Sequence, residues 1–275
     1  MDQRERLDFL LERFKEDSVQ YQDLEVKDDD TQKRMALRSL MNIRMPRAMD
    51  EETLKVQDEF LEEEAKEKGI VTLSGIPTVK EQYGSGHMFA DKLSIWQGDI
   101  TRLSVDAIVN AANSRMLGCF IPCHRCIDNA IHSAAGIELR AECSRLMNQK
   151  KIRYGSHYEE PTGQAVLTKG YNLPAKYVIH TVGPIVAGRL TDSLRKDLEN
   201  CYQSVLECCA ANGLRTVAFC CISTGEFHFP NDEAAHIAVR TVSRFLEKHE
   251  AEFDRVIFNV FKDIDRVLYE KEVLA

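Results

Sequence analysis

The chain has 275 residues, of which 44% are hydrophobic and 29% charged, a balance typical of a soluble globular protein. No apolar run approaches the roughly 18 residues that a membrane span needs, so we predict no membrane association. The net charge of −8 comes mainly from residues 1–70, which hold 13 Lys and Arg against 20 Asp and Glu. Nothing resembles the basic stripe that duplex nucleic acid demands, and we predict no nucleic-acid partner.

The cysteine content bears on the compartment. The nine cysteines are odd in number and lack a regular framework spacing, which favours reduced thiols. The charged N-terminal stretch MDQRERLDFLLERF lacks the apolar region of a secretory signal. We therefore expect a cytoplasmic protein.

Residues 1–73 are predicted to form a helical extension. Apolar residues recur near helical spacing in three stretches, Leu7–Phe14, Met35–Met41 and Leu54–Leu61. The acidic run Asp28–Asp30 predicts a break followed by a new helix. No catalytic signature is present, so we interpret the extension as a cover for one side of the main domain. A partner-docking surface is the alternative.

Residues 74–90 are predicted to be a linker, because Gly75, Pro77, Gly84 and Gly86 fall within them. Residues 91–275 then alternate between short β-branched runs and helical segments. The predicted strands are Leu93–Gln97, Ala107–Asn110, Ala165–Thr168, Tyr177–Thr181, Thr216–Ser223 and Val256–Val260. The predicted helices span about 128–148, 192–212, 231–248 and 263–272.

The run Val217–Ile222 is apolar on both faces, as expected when helices cover both sides of a sheet. The alternating pattern therefore indicates a three-layer α/β/α domain. In such a domain the binding loops lie at the strand ends.

A cluster of cysteine and histidine follows an Asn-rich turn. The segment Cys119–Cys126 holds three thiols and one imidazole within eight residues. Thiolate and imidazole are the ligands that zinc prefers, so the cluster suggests a transition-metal site. A surface loop with coincidental cysteines is the alternative that spacing alone leaves open.

Residues 91–270 resemble the macrodomain family of ADP-ribose binders through short motifs that occur in family order. The motifs are Gln97–Thr101 (QGDIT), Val105–Asn113 (VDAIVNAAN), Gly163–Ala165, Gly170–Pro174, His180–Pro184, Cys221–Pro230 and Asp232–Ala235. Each motif alone is weak evidence for the resemblance, but all of them together in this order would not arise by chance. The resemblance implies an α/β macrodomain with a mixed central sheet.

The resemblance also implies where an ADP-ribose would be held. Asp99, just past a strand, would offer an acceptor to the adenine amine, and Ile100 would help to position the base. Asp99 is equally typical of a helix cap or turn. The residues assigned to the diphosphate are Ser223, Thr224, Gly225, Glu226 and Phe227. Such a polar turn before a helix can aim backbone N–H groups at phosphates, or it can be an ordinary connection.

Two further pairs of residues suit a sugar. Asn110 and Asn113 carry amides that match ribose hydroxyls, although asparagines here are also typical turn formers. Phe227 and Phe229 could line a ribose, although aromatic residues in such loops also pack. The distal ribose is assigned to Asn113.

The chain departs from the common family pattern after the NAAN turn. Many hydrolytic macrodomains carry a run of glycines there, and a segment with three cysteines replaces that run. The replacement is similar to a microbial branch of zinc-containing macrodomains, with the pattern Gly-Cys-x-x-x-x-His-x-Cys-Ile-Asp-Asn. That resemblance places zinc ligands at Cys119, His124 and Cys126. Cys123 falls on a variable position outside the ligand set, and His132 is expected to be packed or hydrogen-bonded.

The number of ligands decides what zinc can do. Three protein ligands leave a tetrahedral ion one open position, as in catalytic sites, whereas a fourth would close the site. A structural zinc that shapes the loop therefore stays open as an alternative.

The function implied by the resemblance is a zinc-dependent hydrolase that removes mono-ADP-ribose from modified protein side chains, at the glycosidic or ester bond of the distal ribose. Asn113 would hold that ribose, and Asp128 would orient a hydroxyl or water or act as general base. The implied partners are ADP-ribose and mono-ADP-ribosylated protein. A non-catalytic ADP-ribose reader and a deacetylase of O-acetyl-ADP-ribose are the alternatives.

Overall fold

The computed structural model describes residues 1–275, and their contacts separate the chain into two units, each made of several segments. The first unit comprises Met1–Gly69, Met116–Tyr158 and Tyr171–Leu173. The second unit comprises Ile70–Arg115, Glu159–Gly170 and Pro174–Ala275. The predicted boundaries 1–73, 74–90 and 91–275 stay a prediction.

The helices are α1 (Gln3–Glu16), α2 (Asp30–Ile43), α3 (Glu51–Lys68), α4 (Val79–Tyr83), α5 (Ile127–Ala135), α6 (Ile137–Tyr154), α7 (Asp192–Ala211), α8 (Asn231–His249) and α9 (Asp263–Leu274). The strands are β1 (Val71–Thr72), β2 (Leu93–Gln97), β3 (Leu103–Ser104), β4 (Ala107–Ala112), β5 (Ala165–Lys169), β6 (Tyr177–Val182), β7 (Thr216–Phe219) and β8 (Arg255–Val260). No helix is both long enough and apolar enough to cross a membrane.

The first unit contains the N-terminal helices, whose apolar faces meet in a core of their own. Its buried members are Leu7, Leu10, Leu11, Phe14, Leu37, Leu40, Met41, Val56, Phe60 and Leu61. Each helix begins at an aspartate, since the side chains of Asp2, Asp29 and Asp50 accept a first-turn N–H. The helices predicted from periodicity are therefore present, and Asp29 caps α2 where the acidic run predicted a helix start.

The second unit is built on a six-stranded sheet with the order β2-β8-β7-β4-β6-β5. Five of the strands run parallel, and β5 pairs antiparallel with β6. Helix α7 packs on β5 and β6, and α9 packs on β2 and β8. The predicted class, an α/β fold with a mixed sheet and preceding helices, is confirmed.

Two predicted elements are wrong in extent. The strand expected over Thr216–Ser223 ends at Phe219, because the chain then turns and Ser223 adopts a left-handed φ of 64°. The single helix expected over 128–148 is two helices, α5 and α6, separated at Gly136. Gly136 has a φ of 94°, and a Cβ there would lie 2.8 Å from Gln57 Nε2 and 3.0 Å from Asn172 Nδ2.

We predict that Gly136→Ala lowers the free energy of unfolding by about 1–3 kcal/mol for its backbone conformation and by a further amount of about 1–3 kcal/mol for overpacking. Gly155→Ala is the matched control, since its φ of 111° is similarly disfavoured but nothing lies within 4 Å of the added Cβ. Urea unfolding followed by circular dichroism measures both variants. Equal losses in the two would contradict the packing argument.

Candidate functional site

The three predicted zinc ligands converge in the cysteine loop (Cys119–Cys126), which precedes α5 in the first unit. Cys119 Sγ and His124 Nδ1 are 3.6 Å apart, and the ligand atoms of Cys119, His124 and Cys126 all lie within 4.8 Å of one another. A sulfur at about 2.3 Å and a nitrogen at about 2.1 Å from one tetrahedral zinc are themselves about 3.6 Å apart. The donor set and its spacing therefore fit a zinc ion.

The ends of the loop are held by the helix that follows it. Cys126 is the N-cap of α5, and its Sγ accepts the N–H of Asn129 at 3.4 Å. A sulfur in this position faces the positive end of the helix dipole, which favours thiolate. Before the loop, Gly118 lies so close to the His132 ring that a Cβ would approach Cγ to 2.8 Å.

At Cys126 the effect of burial outweighs that of the helix end, so its surroundings favour the protonated thiol. Burial, together with the neighbouring Cys119 and Asp128, raises the pKa of the Cys126 thiol to about 12. The N–H of Asn129 acts in the opposite direction. Coordination to a metal deprotonates a thiol outright, so a bound zinc ion would offset the effect of burial.

Cys123 lies outside this group, as its place in the motif predicted. Its Sγ is 3.3 Å from Ser39 Oγ and 3.5 Å from the carbonyl oxygen of Met35. Its N–H donates to Asn42 Oδ1 at 2.9 Å. The side chain is thus directed at α2 and lies outside the group formed by Cys119, His124 and Cys126.

Asp128 lies in the first turn of α5, two residues after Cys126. The carboxylate is 5% exposed, and its Oδ1 is 3.5 Å from His132 Nε2, which lies one turn further along the helix. His132 is also 5% exposed and packs against Gly118. The imidazole and the carboxylate therefore restrict each other's orientation.

The remaining predicted residues belong to the second unit, where they follow neighbouring parallel strands. Asp99 follows β2, Ser223–Phe227 follow β7, and Asn113 follows β4. In the sheet these strands stand in the order β2-β8-β7-β4, so their carboxyl ends share one edge. Adjacent strands are about 4.8 Å apart, and the edge from β2 to β4 therefore extends about 14 Å.

Asp99 has the capping role that its position allowed. Its Oδ1 caps a short 3-10 helix by accepting the N–H of Thr101 at 3.0 Å and the Thr101 hydroxyl at 2.7 Å. A carboxylate has a second oxygen that can accept a ligand donor. The side chain of Ile100 is only 1% exposed, so Ile100 can contact a ligand mainly through its backbone.

The turn after β7 presents backbone donors. It is closed by bonds from Phe229 N–H to Ser223 O at 2.9 Å and from His228 N–H to Gly225 O at 3.1 Å. The N–H groups of Gly225 and Phe227 have no acceptor within the protein. Gly183 approaches this turn closely, and a Cβ at that position would overlap Ser223 Oγ. Such an arrangement of N–H groups suits an anion.

The structure corrects two of the sugar-binding candidates and adds a residue. Asn110 is fully buried in β4, with its Nδ2 3.1 Å from His180 Nδ1, so it does not offer its amide to a sugar. Phe229 is 1% exposed and packs in the core. Phe261 was missed, although it directly follows β8 and is 75% exposed. An aromatic residue immediately after a buried strand was the signal in the sequence.

Phe261 lies beside the loop that carries Asp99. The Gly98 N–H donates to Val260 O at 3.0 Å, and the Gln97 side chain donates to Phe261 O at 3.3 Å. An exposed aromatic ring on the loop adjoining the Asp99 loop is suited to stack on a flat heterocycle.

Comparison with known proteins agrees with this arrangement. The Macro domain family model matches residues 109–238. A protein-ADP-ribose hydrolase of Treponema medium is 45% identical over 98% of this chain and 99% of its own length. The chain belongs to the macro domain family. Since that relative is a hydrolase, the predicted enzyme class of this macrodomain is confirmed as well as its family.

Two more comparisons extend the match. A protein-ADP-ribose hydrolase of Staphylococcus aureus is 43% identical to this macrodomain, over 85% of this chain and 82% of its own. The crystal structure of a Trypanosoma brucei macrodomain in complex with ADP-ribose superposes with a TM-score of 0.64 at 31% identity. That superposition covers 82% of this chain and 92% of the other.

We predict about one zinc per chain, lost in a Cys119→Ser/Cys126→Ser double variant and retained in Cys123→Ser. The reason is that the first two thiols lie with His124 in one group, whereas Cys123 is directed at Ser39. Metal analysis of the purified proteins measures the content. Loss of zinc in Cys123→Ser as complete as in the double variant would indicate a fourth ligand and a closed, structural site.

Proposed function

We propose that this macrodomain removes mono-ADP-ribose from modified protein side chains, with a zinc ion held by Cys119, His124 and Cys126. The observation that carries the proposal is the order of groups along the sheet edge. A carboxylate and an exposed ring stand at β2 and β8, backbone donors at β7, and an amide side chain at β4. ADP-ribose has the same order of parts, from adenine through diphosphate to the distal ribose.

At the adenine end, Asp99 would accept from the exocyclic amine, and Phe261 would stack on the base. In the middle, the N–H groups of Gly225 and Phe227 would donate to the diphosphate. Ser223 Oγ is buried without a partner in the protein and can donate to the same phosphates.

At the ribose end, Asn113 would hold the distal sugar by hydrogen bonds to its hydroxyls. The reaction breaks the bond between the distal ribose and the protein side chain. The oxygen of water goes to the sugar, and one proton goes to the departing side-chain atom. Asp128 would orient the water or a ribose hydroxyl, or take the proton from water as general base. Zinc, when bound, supplies Lewis acidity that polarises an oxygen of the sugar or of water.

We also propose a cytoplasmic location. All nine cysteines are free thiols, and four of them, Cys143, Cys201, Cys209 and Cys220, are buried. Free thiols in this number suit a reducing compartment.

Asp99→Ala is expected to weaken binding of free ADP-ribose by about 1–3 kcal/mol, because a donor of the ligand loses its acceptor. Since Asp99 also caps the 3-10 helix, Thr101→Val is the matched control: it removes one bond of that cap but keeps the carboxylate. Calorimetry should show affinity within about twofold of wild type for the control. An unchanged affinity in Asp99→Ala would show that the adenine is held elsewhere.

Asp128→Ala and Asn113→Ala should lose most turnover on mono-ADP-ribosylated protein while ADP-ribose affinity stays within about tenfold, or roughly 1.4 kcal/mol. The reason is that both residues would act on the reacting sugar, whereas adenine and diphosphate supply most of the binding energy. Release of ADP-ribose and calorimetric binding are measured in parallel. A wild-type protein that binds but does not hydrolyse would be a reader module, which would contradict the proposal.

A further inference from the structure

The cysteine loop is joined to helix α2 of the N-terminal helices by a set of polar side chains that are partly or fully buried. We propose that Arg38 and Asn42 on α2 are positioning residues for the metal site. They hold the loop in the conformation in which Cys119, His124 and Cys126 converge. This inference rests on the zinc site of the proposed function, and it gives the N-terminal helices a part in that site.

Asn42 stabilises the turn in the middle of the loop. It is 1% exposed, its Oδ1 accepts the N–H of Cys123 at 2.9 Å, and its Nδ2 donates to Ser133 Oγ at 2.9 Å. Cys123 has a left-handed φ of 51°, a conformation that costs a non-glycine residue about 1–2 kcal/mol. The bond from Asn42 offsets this cost between the ligands Cys119 and His124.

Arg38 acts on the second half of the loop. Its Nη2 donates to Asn129 Oδ1 at 2.7 Å and to the carbonyl oxygen of His124 at 3.5 Å. Asn129 is fully buried, donates through Nδ2 to Ile121 O at 3.0 Å, and donates its N–H to Cys126 Sγ at 3.4 Å. One arginine of α2 therefore contacts the backbone of one ligand and the residue that bonds the sulfur of another.

The third ligand is tied to the same helix through Arg140 of α6. Its Nη1 donates to the carbonyl oxygens of Asn42 at 2.6 Å and Arg44 at 2.7 Å, at the end of α2. Its Nη2 donates to Cys119 O at 3.3 Å. A guanidinium at a helix C-terminus is favoured by the helix dipole. Each of the three ligand residues thus contacts α2 directly or through one intervening side chain.

The N-terminal helices also contact the rest of the first unit through Gln57, away from the cysteine loop. A substitution at Gln57 therefore serves as a control. Gln57 of α3 is 1% exposed, and its Oε1 accepts the N–H of Ile137 at the start of α6 at 3.1 Å. Gln57→Ala therefore removes a buried bond between the N-terminal helices and the rest of the first unit. It leaves every contact of the cysteine loop in place.

The test is the zinc affinity of the full-length protein without substrate, measured by competition with a chromophoric chelator. Arg38→Ala and Asn42→Ala are each expected to weaken zinc binding by about 10–100-fold, the range found when groups that orient metal ligands are removed. Gln57→Ala should keep the zinc affinity within about twofold of wild type, even if its thermal unfolding midpoint falls as far as those of Arg38→Ala and Asn42→Ala. The absorption spectrum of bound cobalt(II) should change in the two α2 variants and not in Gln57→Ala.

Zinc affinities within about twofold of wild type in both α2 variants would overturn the proposal. A loss in Gln57→Ala equal to theirs would also overturn it, because the effect would then be one of general stability. If Asn42→Ala does not fold, Arg38→Ala decides alone, since Arg38 is only half-buried. Unchanged zinc affinity in the variants leaves the hydrolase proposal standing, whereas that proposal fails separately if wild type does not release ADP-ribose.

Discussion

The parallel pairing of β2, β8, β7 and β4 is the constraint on which the rest of the second unit depends. Parallel strands must be joined by crossover connections, so all four carboxyl ends emerge at one edge. The register aligns Ala218 of β7 with Ile257 of β8 and with Ile108 of β4, which keeps those ends level. Loops that are far apart in the chain are thereby placed in a row, and the antiparallel β5 lies outside this row.

The first unit follows a different constraint, the need of buried polar groups for partners. The cysteine loop has no strand or helix of its own, and partly or fully buried side chains satisfy several of its backbone groups. Asn42, Arg38 and Asn129 do so for Cys123, His124 and Ile121. The loop, α5 and the N-terminal helices consequently form one unit by their contacts, although they are separate in sequence.

The C-terminal end of α2 is itself held by charge. Asp17 accepts from Arg44 at 2.8 Å and from Arg47 at 2.6 Å. Burial acts to raise the pKa of Asp17, but hydrogen bonds from Arg47 and Arg44 hold that pKa below its usual value. The ion pairs fix the chain that leaves α2, beside the carbonyl oxygens that Arg140 contacts. Part of the acidity of residues 1–70 therefore stabilises the helix on which the cysteine loop rests.

Local patterns in the sequence were sufficient for most of the elements. The runs of β2, β5, β6 and β8 were predicted to within one residue at each end, because β-branched spacing is a property of neighbouring residues. The ligand set implied by the resemblance names three residues within eight positions, and their side chains lie together. Gly136 was missed because the apolar period continues across it, and only the approach of Gln57 and Asn172 requires a glycine there.

The tertiary structure alone decided which of the polar residues face a ligand and which face the protein. Asn110 and Asn113 stand in the same motif, yet the pairing of β4 with β6 buries Asn110 against His180. Phe261 became a candidate only when β8 was found beside β2. The contacts of Arg38 and Asn42 join residues more than 80 positions apart. Spacing along a chain determines periodicity and local ligand sets, whereas long-range packing determines which buried groups must satisfy one another.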